Sequence, residues 1–253
     1  MALQDIYPVI ITRDASQTIA ATLESLRPFS EVVVYDNGST DDTAVIAERF
    51  SNVKLVRGEF EGFGATKNKA ASAASGDWIL SIDADESVSE ELLASLGALN
   101  LSDTRQTFAV HRHNLFMGRD IRWGGWGNDW LVRLYHRRES GLRDSLVHEK
   151  VIVPAGTKPQ RIAGALWHDN IRDVDQFLKK ISYYTELRRR EPVNRVHGPV
   201  VTMLRTLWAF FRSYVLQLGL LAGWRGLVIA VCDSIGTFFK HIKRYSDARA
   251  RRE

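Results

Sequence analysis

The sequence predicts an α/β protein: a mainly parallel sheet with helices on both faces, followed by a C-terminal helical region suited to a membrane surface. Three observations carry this. In the first hundred residues, short apolar, β-branched runs alternate four times with segments of helical spacing. Polar residues stand at the carboxyl ends of three of those runs, the edge where such sheets bind ligands. The last fifty residues combine the most apolar part of the chain with nine Lys/Arg against three Asp/Glu over residues 203–253.

The elements follow in order. Residues 7–12 (YPVIIT) read as a strand, and residues 16–26 as a helix with Ile19, Leu23 and Leu26 on one face and Ser16 as its N-cap. Residues 31–36 (EVVVYD) are a second strand. Residues 39–50 open with capping residues and acids and then read as a helix. Residues 52–58 form a third strand, the Ala-rich residues 64–76 a helix between glycines, and residues 77–83 (DWILSID) a fourth strand. Residues 89–99 are a helix capped by Ser89. After residue 105 the alternation loosens into extended segments, 107–118, 130–138 and 149–156, rich in aromatic and basic residues. A helix is expected over 173–190, and Pro192 with Gly198-Pro199 then breaks the chain, which places a boundary at 191–199.

The bulk numbers agree. A chain of 253 residues suits one sizeable domain with an appendage, and 45% hydrophobic against 25% charged residues argues for a packed core rather than disorder. The net charge of +4 is small, so its placement matters more than its size. The single cysteine, Cys232, excludes an intrachain disulfide and fits a reducing compartment. The first fifteen residues show neither a basic n-region nor an apolar h-region, so no secretory signal is expected.

The fourth strand ends in LSIDADE, three carboxylates within four residues. Like charges this close repel, and a divalent cation removes the penalty. Asp83 and Asp85, one residue apart, can reach one ion from a turn, and hard carboxylate oxygens suit Mg²⁺ or Mn²⁺. Such an ion commonly bridges carboxylates to a diphosphate. Glu86 reads as a cap for the next helix. Thr12, Arg13 and Asp36 end the first two strands at the same edge.

In order and spacing, VIITRDASQTIAATLESL, VVVYDNGSTDDT, GFGATKNKAASAASGDWILSIDADE and VHE resemble the family 2 glycosyltransferases of the GT-A fold, which is Rossmann-like. Within that family the chain is most similar to bacterial lipopolysaccharide-core β-1,4-glucosyltransferases, over roughly residues 5–190. The resemblance implies a nucleotide-sugar donor held by Thr12, Arg13, Asp36, Asn37, Lys67 and Asp83, with Asn37 standing where relatives often have a second acid. It implies a divalent cation on Asp85 and Asp83, with His168 completing the metal site. An inverting transfer needs one carboxylate as base. Asp129, ahead of an L-x-R-L segment, and Glu149, in the His-Glu pair, are both candidates, with Asp129 slightly favoured; each is equally open to a salt bridge with Arg133 or Arg143. Trp123, Trp126 and Trp130 offer faces for stacking on sugar rings or for packing.

The tail, residues 200–232, is strongly apolar, but Arg205, Arg212 and Arg225 keep its clean runs below the roughly 18 residues a spanning helix needs. Basic residues with Trp208 and Trp224 fit helices lying in an anionic membrane surface; a soluble helical subdomain or an oligomer interface is the alternative. The combined expectation is a peripheral enzyme on the cytoplasmic face of the inner membrane, with a catalytic domain at 1–190 and a tail at 191–253. It would transfer a hexose, glucose by resemblance, from a UDP-linked donor to a lipid-linked glycan. Its rivals are transfer to a polyprenyl phosphate and a non-catalytic membrane-binding scaffold. A nucleic-acid partner is not expected, because the tail's basic residues are interleaved with an apolar stripe.

Overall fold

The computed structural model describes residues 2–143, 150–190 and 195–251. They form two compact units. The first comprises residues 1–113 and 129–169, the second residues 114–128 and 170–253.

In the first unit, β1 (Ile6–Thr12), β2 (Val32–Asp36), β3 (Val53–Arg57) and β4 (Trp78–Asp83) are parallel neighbours in the order β3-β2-β1-β4. Beyond β4 the sheet turns antiparallel through β8 (Asp129–His136), β6 (Phe108–Phe116), β9 (Gln160–Ile171) and β5 (Glu86–Val88). Alternation decides the faces. Ile10, Val34, Leu80 and Ile82 pack with Ile19 and Leu23 of α1 (Ile19–Ser25) and with Leu92 and Leu96 of α4 (Glu90–Gly97). Val9, Ile11, Val33 and Ile79 pack with Ala70 and Ala71 of α3 (Phe63–Ser72). A parallel sheet covered on both faces needs such near-continuous apolar strands. The remaining helix of this unit is α2 (Thr43–Ala47).

Ser89 caps α4 as expected, its Oγ accepting the Leu92 N–H at 3.1 Å; it also accepts the Ala165 N–H at 2.9 Å, so one side chain ties the helix start to β9. Gly164 beside it has φ +96°, and a Cβ there would lie 2.3 Å from the Leu92 nitrogen, so only glycine allows this approach.

Two expected caps are corrected. Ser16 does not cap α1, which begins three residues later after Thr18; the Ser16 N–H instead donates to Asp41 Oδ2 at 3.0 Å. Residues 39–42 do not open a helix. They clamp the loop after β1: Ser39 Oγ accepts the Asp14 N–H at 3.0 Å, and Asp14 Oδ1 accepts the Thr40 N–H at 2.7 Å. Short polar side chains compete well for backbone groups, so α2 shrinks to five residues.

The second unit contains β7 (Arg119–Asp120), which pairs with the end of β6, and the helices α5 (Val174–Arg190), α6 (Pro199–Phe211) and α7 (Gly223–Ala250). Its core joins Phe116, Ile121, Ile171, Phe177, Ile229 and Cys232. A π-helical turn at Arg212–Leu216 and a 3₁₀ turn at Gly219–Ala222 connect α6 to α7. Residues 219–250 are long and apolar enough, by length and composition, to cross a membrane, although about a third of their most apolar window is buried.

Candidate active site

Register brings the polar strand ends level. Thr12 pairs with Asp36, Asp36 with Arg57, and Ile11 with Asp83, so β1 to β4 end along one line. A cleft of about 500 Å³ opens there, lined by Asp36, Gly38, Ser39, Ala44, Arg57 and Gly58. The turn that shapes it needs φ +84° at Gly38, and Ser39 donates both its N–H (3.0 Å) and its hydroxyl (2.6 Å) to Asp36 Oδ1. Beside this turn, the Thr12 hydroxyl and Asn37 Oδ1 are buried without a hydrogen-bond partner among the described residues. Buried polar atoms are normally paired, so these two mark a place suited to an outside donor or acceptor. Arg13 points outward, its side chain 64% exposed. Arg57 is a cleft residue that the sequence reading did not include.

Next to the cleft lies a buried ionic network. Lys67, 3% exposed on α3, donates to Asp83 Oδ1 at 2.7 Å, and Arg133 of β8 donates to Asp83 Oδ2 at 2.8 Å. Arg133 also lies 2.5 Å from Glu86 Oε1, which Arg112 of β6 approaches at 3.3 Å. Glu86 Oε2 accepts the Asp83 N–H at 2.9 Å. Burial alone would raise the Asp83 carboxyl, but Arg133 and Lys67 hold it well below the usual carboxylate range. Burial pushes Glu86 up; Arg133 pulls the other way, Asp83 adds to the rise, and the net direction is upward.

Glu86 is therefore not a helix cap. It starts β5, is fully buried and sits at the centre of the network. The sequence did carry a signal for this. Arg133 interrupts the apolar run WLVRLY, and a charge inside a buried strand requires a partner.

The register of β5 on β9 sets Glu86 opposite His168, and the Asp169 N–H donates to the Asp85 carbonyl at 3.0 Å. His168 Nε2, in a side chain 8% exposed, lies 3.4 Å from Asp85 Oδ2. The pair combines a carboxylate oxygen with an imidazole nitrogen, a set that fits Mg²⁺ or Mn²⁺ when other oxygens complete the shell. Among the described residues no three His, Cys, Asp or Glu side chains gather around one ion position. Asp83 is engaged by Lys67 at Oδ1 and by Arg133 at Oδ2, with Arg112 4.0 Å from the same Oδ2.

Asp129 begins β8 opposite Arg112, whose Nε and Nη2 both reach Asp129 Oδ2, at 2.8 and 2.7 Å. Asp129 thus pairs with Arg112, while Arg133 serves Asp83 and Glu86. Glu149 lies outside the described residues. Of the tryptophans, Trp130 lies between His111 (5.0 Å between rings) and the Arg161 guanidinium (4.6 Å). Trp126 packs on Phe116 and Phe177 in the second unit, and Trp123 is 44% exposed.

A four-stranded parallel sheet continued by antiparallel strands, with an acidic turn at its carboxyl edge, is the GT-A fold of glycosyltransferases. Residues 9–158 match the model of glycosyl transferase family 2, and the chain belongs to that family. It is 26% identical over 258 residues to an uncharacterized glycosyltransferase of Rickettsia felis, covering 95% of this chain and 89% of that one. It is also 26% identical over 254 residues to the lipopolysaccharide core biosynthesis glycosyltransferase LpsC of Rhizobium meliloti, covering 93% and 90%. Among solved structures it is similar to S. aureus TarS 1–349 in complex with UDP, at 15% identity and a TM-score of 0.46, covering 98% and 92%.

Proposed function

We propose that the chain is an inverting, cation-dependent hexosyltransferase. It takes a hexose, glucose on this reading, from a UDP-linked donor and gives it to a hydroxyl of a lipid-linked glycan such as the lipopolysaccharide core. The observation that carries the donor assignment is the cleft at the carboxyl edge, with the unpartnered Thr12 hydroxyl and Asn37 Oδ1 beside it. Asp36, Asn37, Thr12 and Arg13 hold the nucleoside; Lys67 and Asp83 stand toward its phosphates. Asp85 and His168 hold the divalent ion, which when bound neutralises the leaving diphosphate. The Asp129 carboxylate takes the proton of the attacking hydroxyl as the acceptor oxygen bonds to the anomeric carbon. The bond from that carbon to the diphosphate oxygen breaks, and the diphosphate leaves with the electron pair. Glu149 is the second carboxylate of this reading.

Similarity to a lipopolysaccharide core glycosyltransferase supports the acceptor class. The exposed apolar and basic faces of α6 and α7 support attachment to the cytoplasmic face of the inner membrane, with the helices lying in the surface.

The test is calorimetric titration of UDP and UDP-glucose into the purified protein with and without Mn²⁺ or Mg²⁺, alongside Asp85→Ala and His168→Ala. Cation-dependent binding that both substitutions abolish is the expected result. If UDP-, GDP- and dTDP-sugars all fail to bind, the enzyme reading falls and the scaffold reading replaces it.

A further inference from the structure

The antiparallel half of the first unit carries a row of rings that the donor site does not use. Core packing shows which way they face. Ile82, Phe108, Val110, Ile162 and Leu166 pack with the residues of α1 and α4, so the residues that alternate with them lie on the other face, the one covered elsewhere by α3. Asp83, bonded to Lys67 of α3, is on that face. So are His111 and His113 of β6 and Arg161 and Trp167 of β9. Trp130 of β8 joins them because it pairs directly with His111.

The rings touch one after another. Trp130 and His111 have centroids 5.0 Å apart, His111 and His113 4.5 Å, and His113 and Trp167 4.9 Å. A hydrogen bond of 2.8 Å between His111 Nδ1 and His113 Nε2 fixes the two imidazoles against each other. The Arg161 guanidinium lies 4.6 Å from the Trp130 centroid, so that indole is held by a cation as well as by an imidazole. Trp130, His111 and His113 are half-buried, whereas Trp167, at the end of the row, is 36% exposed. The pair beyond Trp130 and His111 is Asp129 with Arg112, where β8 begins. The other end of the row therefore adjoins the carboxylate assigned above as the base.

This chemistry selects an occupant. An indole face attracts the C–H face of a pyranose ring, and Arg and imidazole N–H groups beside it can donate to sugar hydroxyls. Rings and N–H donors, rather than aliphatic side chains, make up the row, which suits a sugar better than an acyl chain or an amphipathic helix. Its position, on the same sheet face as Asp83 and beside Asp129, makes it continuous with the donor site.

We propose that this row is the platform on which the acceptor glycan lies. A pyranose ring stacks on Trp167, which the other three rings hold in place. This rests on the reading of the chain as a transferase to a glycan hydroxyl, and it makes Trp167 a determinant of acceptor affinity and not of donor affinity.

The test labels the full chain with 5-fluorotryptophan and follows the fluorine resonances as a deacylated lipopolysaccharide core oligosaccharide is added. The Trp167 signal is the one that Trp167→Phe removes. It should shift on titration, while those of Trp208 and Trp224 in the second unit stay fixed. Calorimetry should show Trp167→Ala weakening the oligosaccharide roughly ten-fold, with the acceptor KM rising to match, and Trp167→Phe weakening it less than about three-fold. Both variants should bind UDP as the parent does. A Trp167 signal that stays fixed, or parental oligosaccharide affinity in Trp167→Ala, overturns the platform. So does loss of UDP binding in Trp167→Ala, which would show the residue acting through its neighbour His168. The two readings fail separately. UDP binding with no response to the oligosaccharide removes the platform and leaves the donor site. A Trp167 response without binding of any nucleotide sugar keeps the glycan-binding row and removes the transferase.

Discussion

Replacing Arg133 by Met tests the buried network most directly. One guanidinium, 8% exposed, holds Asp83 at 2.8 Å and Glu86 at 2.5 Å. Methionine preserves much of the packing volume but leaves Glu86, fully buried, with Arg112 and the Asp83 N–H as its hydrogen-bond partners among the described residues. Removing one partner of a buried ion pair costs about 3–5 kcal/mol, because the other charge is stranded in low dielectric. For a chain of this size that corresponds to a fall in Tm of roughly 6–20 °C. The sign of the pH dependence follows from the two carboxyls. Asp83 is held low, so its stabilisation is complete above its ordinary value of 3.8 and lost as pH falls toward its folded value. Glu86 is already raised and rises further without Arg133, so in the variant it penalises the folded state more as pH increases. The deficit of Arg133→Met is therefore smallest in acid, where both groups are neutral, and grows toward neutrality. Urea unfolding followed by circular dichroism across this range, with Glu86→Gln and the double variant, closes the cycle. Neighbours in one network should couple by about 0.5–3 kcal/mol, the double variant losing less than the sum. A loss below about 1 kcal/mol with additive effects would refute the account of Glu86 and Asp83 as ions held by a shared arginine.

Other substitutions separate chemistry from stability. Asp129→Asn should lower kcat by about 10²–10⁴ while leaving the donor Kd unchanged, measured by transfer of label and by calorimetry; equal activity would pass the role of base to Glu149. Chelation by EDTA should abolish transfer, and added Mn²⁺ or Mg²⁺ should restore it; full activity in EDTA would remove the ion from the reading. In the second unit, burial pushes the Asp233 carboxyl up to about 7, against the pull of a hydrogen bond from Trp126 and of Arg212. A carboxyl raised on folding makes the folded state lose stability as pH climbs from the ordinary value of 3.8 through about 7. Asp233→Asn should remove that slope, so its stability relative to the parent improves by on the order of a few kcal/mol between pH 4 and pH 8. Parallel unfolding curves for the two proteins would contradict it.

The sequence by itself determined the βαβ half of the first unit and the polar residues that end its strands along one edge. Runs such as VVVYD and DWILSID are apolar on both faces, so they belong inside a covered parallel sheet, and the residues that end them must lie together. The Ser89 cap was legible, whereas those expected at residues 16 and 39–42 were not, because there the polar groups clamp the loop after β1 instead. Strand β9 was not legible. QRIAGALWHDNI contains Gly and Ala and little β-branched character, and its pairing on β5 comes from neighbours far along the chain. Local pattern carries no information about such pairings. The meeting of His168 with Asp85, of Arg112 with Asp129, and of Arg133 with Asp83 and Glu86 was decided only by the antiparallel registers of β5 on β9 and β6 on β8, and by how β8 packs on β4. Glu86 shows the difference most clearly. Three acids within four residues read as a turn, but β5 carries the third inside, and once its water is gone the arginines from two distant strands become the partners that keep it there.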